Sequence, residues 1–134
     1  MRTQLAQLAR YALVIPVMMS VGCSFIARDP DSYRDVTREL VDTRGGDIKD
    51  CYDVALQTDE SVGGTVTVNF IVEQKTGKIM NPTVDAANSD APETLQQCVV
   101  SAIDGLQLDP PDAREGQATF SWTFEAQPVE APAS

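Results

Sequence analysis

Residues 118–125 alternate without a break: Ala118, Phe120, Trp122 and Phe124 are apolar, and Thr119, Ser121, Thr123 and Glu125 are polar. Successive side chains of a strand point to opposite faces, so this pattern demands a sheet with one buried face and one wet face. Residues 65–73 repeat it. Val66, Val68, Phe70 and Val72 share one face, opposite Thr65, Thr67, Asn69, Ile71 and Glu73. Lys75-Thr76-Gly77-Lys78 reads as a hairpin turn, and the return strand is expected over residues 79–85. Pro82 lies inside that strand and has no N–H to donate, which marks an edge or bulged strand.

A sheet with one apolar face needs cover, and three stretches of helical period supply it. Asp29-Pro30-Asp31 is a helix-start signal, after which Tyr33, Val36 and Leu40 recur on one face of a helix over residues 31–43. Gly45-Gly46 breaks it. A second helix is expected from Asp47 as N-cap, burying Ile48, Cys51, Tyr52, Ala55 and Leu56. Asp90 and Glu93 have the spacing of a capping box before a third helix, whose inward stripe is Leu95, Cys98, Val99, Ala102, Ile103 and Leu106. Asp109-Pro110-Pro111-Asp112 is a rigid turn, and the Pro- and Ala-rich residues 126–134 read as a disordered tail. The fold class is therefore α+β: two layers, a three-stranded antiparallel sheet with helices packed on one face.

Composition removes several function classes. A chain of 134 residues has room for one domain. Twenty acidic residues face ten basic ones, giving a formal charge of −10, so no basic face is available for nucleic acid. There is no histidine, which removes Ser-His-Asp and Cys-His catalysis and His-ligated zinc. Two carboxyls within reach of each other are unavoidable among twenty, but a two-layer domain this small offers little cleft for a glycosidase. Asp29, Asp31 and Asp35 suggest calcium, yet Arg34 occupies the EF-hand glycine position and Leu40 the bidentate one, leaving a solvated acidic linker. Trp122 reads as core packing. The expectation is a protein that is not an enzyme, with no metal site and no cofactor.

The first 22 residues read as an export signal. Arg2 and Arg10 make a positive start, no acid appears before Asp29, and residues 11–22 form an apolar run too short to span a bilayer. The run ends in Ser20-Val21-Gly22-Cys23-Ser24, which resembles the lipobox of bacterial lipoproteins, with Ser20 where that family usually has Leu. The resemblance implies a Cys23 that is acylated and becomes the new N-terminus, followed by a tether over residues 23–30. Ordinary cleavage after Gly22 would leave Cys23 a free thiol, and an uncleaved anchor is the third option. Ser24, rather than Asp, after the cysteine resembles the pattern sent to the outer membrane. Removal of residues 1–22 takes away two arginines and no acid, so the formal charge moves from −10 to −12. Anionic headgroups would repel such a surface, and attachment would rest on the acyl chains.

Three cysteines leave one over from pairing. If Cys23 carries lipid, Cys51 and Cys98 remain as an even pair in an oxidising compartment. A bridge between them would close a long loop, a stabilisation of about 4 kcal/mol in the chain-entropy model. Two helices side by side on one sheet face would bring the two sulfurs together. A catalytic thiolate is disfavoured because no imidazole exists to activate it.

Ile48-Lys49-Asp50-Cys51-Tyr52 with Ala55-Leu56, residues 64–72, Gly77-Lys78-Ile79 and Cys98-Val99 together resemble the TonB C-terminal-like domains of the AgmX/PglI C-terminal type. The resemblance covers residues 36–125, within a domain placed at 31–125. It implies a central first strand, two edge strands and a bridge between helices, in non-catalytic proteins of the cell envelope. Two departures bear on function. The inner-membrane helix and long spacer of energy transducers are replaced by a lipoprotein-like start, and the aromatic that usually follows the last helix is replaced by Gly105-Leu106-Gln107-Leu108. What the resemblance then implies is a binding module. Its candidate docking edge is the strand Ala118, Thr119, Phe120, Ser121, Trp122, Thr123, Phe124 and Glu125, beside which a partner adds a strand.

The leading functional expectation is thus a lipid-anchored envelope lipoprotein, on the outer membrane and facing the periplasm, which binds a protein partner by strand addition. The alternative is an acidic lipoprotein that binds a small molecule or a divalent cation.

Overall fold

The computed structural model describes residues 26–128. The export signal at residues 1–22, Cys23 and the last part of the expected tail lie outside the described residues. The elements run α1 (Pro30–Asp42), α2 (Gly45–Thr58), β1 (Gly64–Val72), β2 (Ile79–Val84), a single 3-10 turn (Ala86–Asn88), α3 (Glu93–Ile103) and β3 (Gly116–Phe124). The three strands form one antiparallel sheet in the order β2-β1-β3. This is the expected α+β architecture, with β1 in the middle.

The inward face of β1 carries the core. Val66, Val68, Phe70 and Val72 are buried against Leu95, Val99 and Ile103 of α3, with Ile48 and Cys51 of α2 and Val41 of α1 in the same cluster. Burying such a side chain contributes roughly 1.5–3 kcal/mol, so this row supplies much of the driving force for the fold. α2 and α3 lie side by side and are joined by a Cys51–Cys98 disulfide with Cα atoms 5.7 Å apart. The opposite face is tied across β1 and β3 by hydroxyl pairs. Thr67 meets Ser121 at 2.7 Å, and Thr119 donates to Asn69 Oδ1 at 2.6 Å.

β2 bears the irregularity that Pro82 requires. Its register slips between Asn69 and Ile71 of β1, and Asn81, just before the proline, takes φ 50°. The hairpin turn is as expected, with Gly77 at φ 72°, and Lys75 is also left-handed at φ 73°.

Several local expectations are corrected. The break between the first two helices falls at Thr43-Arg44, before the glycines; Gly45 and Gly46 form the first turn of α2, and Arg44, not Asp47, is its N-cap residue. Asp47 instead pairs with Arg44 at 3.2 Å. Asp90 does not cap α3, whose N-cap residue is Pro92. Its carboxylate accepts the Thr65 N–H at 2.6 Å, and Ser89 Oγ accepts the Thr67 N–H at 2.9 Å. β2 stops short of this half of β1, so loop side chains take over the ladder positions. The same loop covers Thr67, which is buried on the face expected to be wet. The α1 stripe includes Thr37 and Val41, both buried. Thr37 tolerates burial because its hydroxyl donates to the Tyr33 carbonyl at 2.7 Å. Cys98 is exposed, on the rim of the α3 stripe rather than within it, whereas Cys51 is buried. Residues 26–28, read as tether, are docked: Ile26 bridges Asp112, and its carbonyl accepts the Ala113 N–H at 2.7 Å.

Candidate functional site

The two outer strands end in very different edges. β2 is distorted in its middle at Asn81-Pro82, and its start is covered by residues 106–108. Ile79 donates to the Leu106 carbonyl at 2.9 Å and Leu108 to the Gly77 carbonyl at 2.8 Å, while Leu106 and Leu108 are buried. The Leu106-Gln107-Leu108 segment is therefore an edge cover. On β3 the edge away from β1 receives no backbone hydrogen bond among the described residues.

Edges left open are usually blunted by a proline, a bulge or a charged side chain. β3 has none of these. Gly116–Phe124 holds no proline and no charged residue, and its nine residues pair with β1 in unbroken register. The expected docking residues Ala118 to Phe124 all lie on it, and Glu125 falls just past its end. Their alternation is correct but the burial is incomplete: Ala118, Phe120, Trp122 and Phe124 are only half-buried. They form a stacked row, with ring centroids 5.7 Å apart for Phe70–Phe120 and 6.3 Å for Phe120–Trp122. Trp122 is thus a half-covered member of that row, short of the full core position expected for it. Tyr52 stacks on Phe124 at 5.2 Å and donates its hydroxyl to the Glu125 carbonyl, closing the far end of the row.

At the near end of β3 a groove of about 430 Å³ runs between α1 and the strand. Arg28, Arg34, Arg38 and Arg114 line it, with Tyr33 and Phe120 as its aromatic walls. Arg38 lies over the Phe120 ring, 5.5 Å from its centroid, an arrangement that attracts a cation to the π-face. Tyr33 packs so closely against Gly116 that a Cβ there would fall 2.5 Å from the ring, so a larger residue would push Tyr33 out of the groove wall.

One carboxylate holds this end of the groove together. Asp112, 1% exposed, accepts the Arg28 N–H at 2.8 Å and the Arg114 N–H at 3.0 Å, and the Arg28 guanidinium lies 3.5 Å away. Burial pushes the Asp112 carboxyl up, but the two N–H donors and the Arg28 and Arg114 charges outweigh it and hold the group below its ordinary value. Burial also raises the Tyr33 phenol, and the nearby Asp112 charge adds to the effect. Sequence reasoning left Arg34 and Arg38 off the Tyr33, Val36 and Leu40 face of the first helix and put Arg28 in a tether, and it missed the groove. The signal available was compositional: four of the five arginines beyond residue 22 line it.

Among the described residues no three His, Cys, Asp or Glu side chains stand together as a metal set. Asp29, Asp31 and Asp35 do not converge: Asp29 caps α1 by accepting from Ser32, and Asp31 pairs with Arg34 at 3.1 Å. No helix among the described residues is long and apolar enough to cross a membrane. No family model matches the chain, and no curated protein or solved structure matches it either.

Proposed function

We propose that this chain is a non-catalytic protein-interaction module of TonB/AgmX C-terminal type, held in the bacterial envelope by acyl chains on Cys23, which captures an extended partner segment along β3. The observation that carries the reading is the open β3 edge. It is long, regular and uncharged, it sits beside a half-covered aromatic row, and the opposite sheet edge is covered at its start and distorted at Asn81-Pro82. Main-chain pairing along such an edge supplies affinity, and side-chain pockets on alternate positions supply selectivity. The short apolar start ending in Cys23-Ser24 supports an outer-membrane anchor facing the periplasm.

Photocrosslinkers placed at Gln117, Thr119, Ser121 and Thr123 in intact cells test the docking edge, with exposed Val54 on α2 as control. Crosslinks from β3 and none from Val54 are expected. Proline is then walked through Thr119, Phe120 and Ser121. Alternate positions lose either an outward N–H or a ladder bond, so the substitutions that keep the fold should still abolish crosslinking. Undiminished crosslinking in every folded proline variant would refute strand addition. Intact mass of membrane-extracted protein tests the anchor: it should show loss of residues 1–22, acyl chains on Cys23 and two fewer hydrogens at Cys51 and Cys98.

A further inference from the structure

We propose that the arginine-lined groove makes the β3 edge selective for an acidic strand: a partner segment with Asp or Glu on alternate positions, whose carboxylates engage Arg38 and Arg34. The proposal rests on the edge-docking reading and names the chemistry of the partner. Charge distribution is its first support. The chain carries two acids for every base, yet four arginines converge on one groove, and Glu115 is the sole acid among its lining residues.

The state of those arginines is the second support. Arg28 is committed to Asp112, and the Arg114 guanidinium donates to the Arg28 carbonyl. Arg38 makes no ion pair and no side-chain hydrogen bond among the described residues. Its plane is steadied on Phe120, so a fork matched to a carboxylate stands ready beside the strand. Arg34, one helical turn earlier, is held only by an exposed pair with Asp31, a contact worth little and easily exchanged.

The shape of the groove decides which anion. Residues 114–120 line it continuously, so its long wall is the strand edge itself. The unpaired N–H and C=O groups of an edge are matched by another backbone, and neither a lipid headgroup nor a nucleotide offers them. The molecule's net negative charge does not cancel the attraction. Screening acts over about 8 Å at physiological ionic strength, whereas a bound carboxylate would touch the guanidinium.

A random decapeptide display library panned on membrane-extracted protein tests this, in parallel with Arg34→Gln/Arg38→Gln and with Arg44→Gln, which removes an arginine outside the groove. The expected result is enrichment of acids at alternate positions on the parent and on Arg44→Gln. Loss of that enrichment, with selected peptides about tenfold or more weaker, is expected on the double variant. Enrichment without acids, or equal binding to the double variant, overturns the acidic-strand proposal. If such charge-indifferent peptides are still lost on the folded proline variants of β3, the edge-docking reading survives alone. Peptides that bind the proline variants as well as the parent overturn both. Binding of phosphatidylglycerol vesicles that depends on Arg34 and Arg38, or a dimer that dissociates in the double variant, would assign the groove to a different occupant and also overturn the proposal.

Discussion

Arg28 and Asp112 are 84 residues apart in the chain, and the backbone N–H of the first meets the buried carboxylate of the second at 2.8 Å. The contact fixes the entry to α1 against the loop that leads into β3, so it sets the spacing of the groove between them. Asp112→Asn should destabilise the fold, because one of the two oxygens that accept the Arg28 and Arg114 N–H groups becomes a donor and the charge facing Arg28 is lost. Asp112→Ala should cost more, about 3 kcal/mol, since both donors lose their partner. The pH dependence has a definite sign. The folded carboxyl sits below its ordinary 3.8, so its stabilisation is complete above that value and is lost as pH falls through the folded one. Urea midpoints should therefore separate parent from Asp112→Asn fully at neutral pH and converge only below 3.8. A constant gap down to strongly acid pH would contradict this.

The Cys51–Cys98 bridge spans 47 positions of sequence. Chain-entropy reasoning puts its contribution at about 4 kcal/mol. Set against the ~5–15 kcal/mol total of a typical domain, that leaves the Cys51→Ala/Cys98→Ser protein close to its folding threshold. Because the core row of β1 does not involve the sulfurs, the variant should keep its fold at low temperature and melt far earlier. Equilibrium denaturation checks it, and a loss under about 1 kcal/mol would show that closing this loop hardly restricts the unfolded chain.

The strands were legible because period 2 survives any choice of partner: every inward residue expected on β1 is buried, and every inward residue expected on β3 is on the inner face. What β3 alone could not disclose is how far its face is covered, since that depends on where α1 comes to rest. Asp90 carries the sequence of a cap, and only the early end of β2 explains why its carboxylate serves Thr65 instead. Thr37 was invisible as a core residue because an intrahelical hydrogen bond, not its chemistry, makes burial tolerable. The groove was hidden for a similar reason. Two of its arginines, Arg28 and Arg114, stand 86 residues apart, and the group that joins them, Asp112, reads in sequence as one more residue of a proline turn.

Two glycines that look alike in sequence should respond oppositely to alanine. Gly77 has φ 72°, its carbonyl accepts the Leu108 N–H of the cover over β2, and a Cβ there would lie 2.0 Å from the Leu108 carbonyl oxygen. Gly77→Ala should therefore cost well over 1 kcal/mol and loosen residues 106–108. Gly46 is helical with nothing within 4 Å of the added atom, so Gly46→Ala should stabilise by about 0.5 kcal/mol. Thermal melts of the two variants compare the signs directly. A neutral Gly77→Ala would mean that the edge cover adapts without penalty.

Cys51 and Tyr52 are adjacent, yet they fasten α2 to different layers: the cysteine to α3 beside it, the tyrosine to the end of β3 in the sheet. The Tyr52 ring stacks on Phe124 and its hydroxyl reaches the Glu125 carbonyl, so the two interactions can be separated by substitution. Tyr52→Phe keeps the stack and should cost about 1 kcal/mol, the net worth of one hydrogen bond. Tyr52→Ala removes both and should cost about 3 kcal/mol. A double-mutant cycle with Phe124→Ala should return a coupling near 1 kcal/mol for the ring pair. Hydrogen exchange adds a positional readout. Amides of residues 122–124 should exchange faster in Tyr52→Phe while those of β1 do not, because the hydroxyl's short contact is to Glu125 at the end of the open strand and its contact to the Val62 carbonyl, ahead of β1, is long at 3.4 Å. If capture proceeds by strand addition, the same variant should also weaken crosslinking from Thr123 more than from Gln117. Equal weakening at both positions would mean that Tyr52 supports β3 as a whole and does not pin its end.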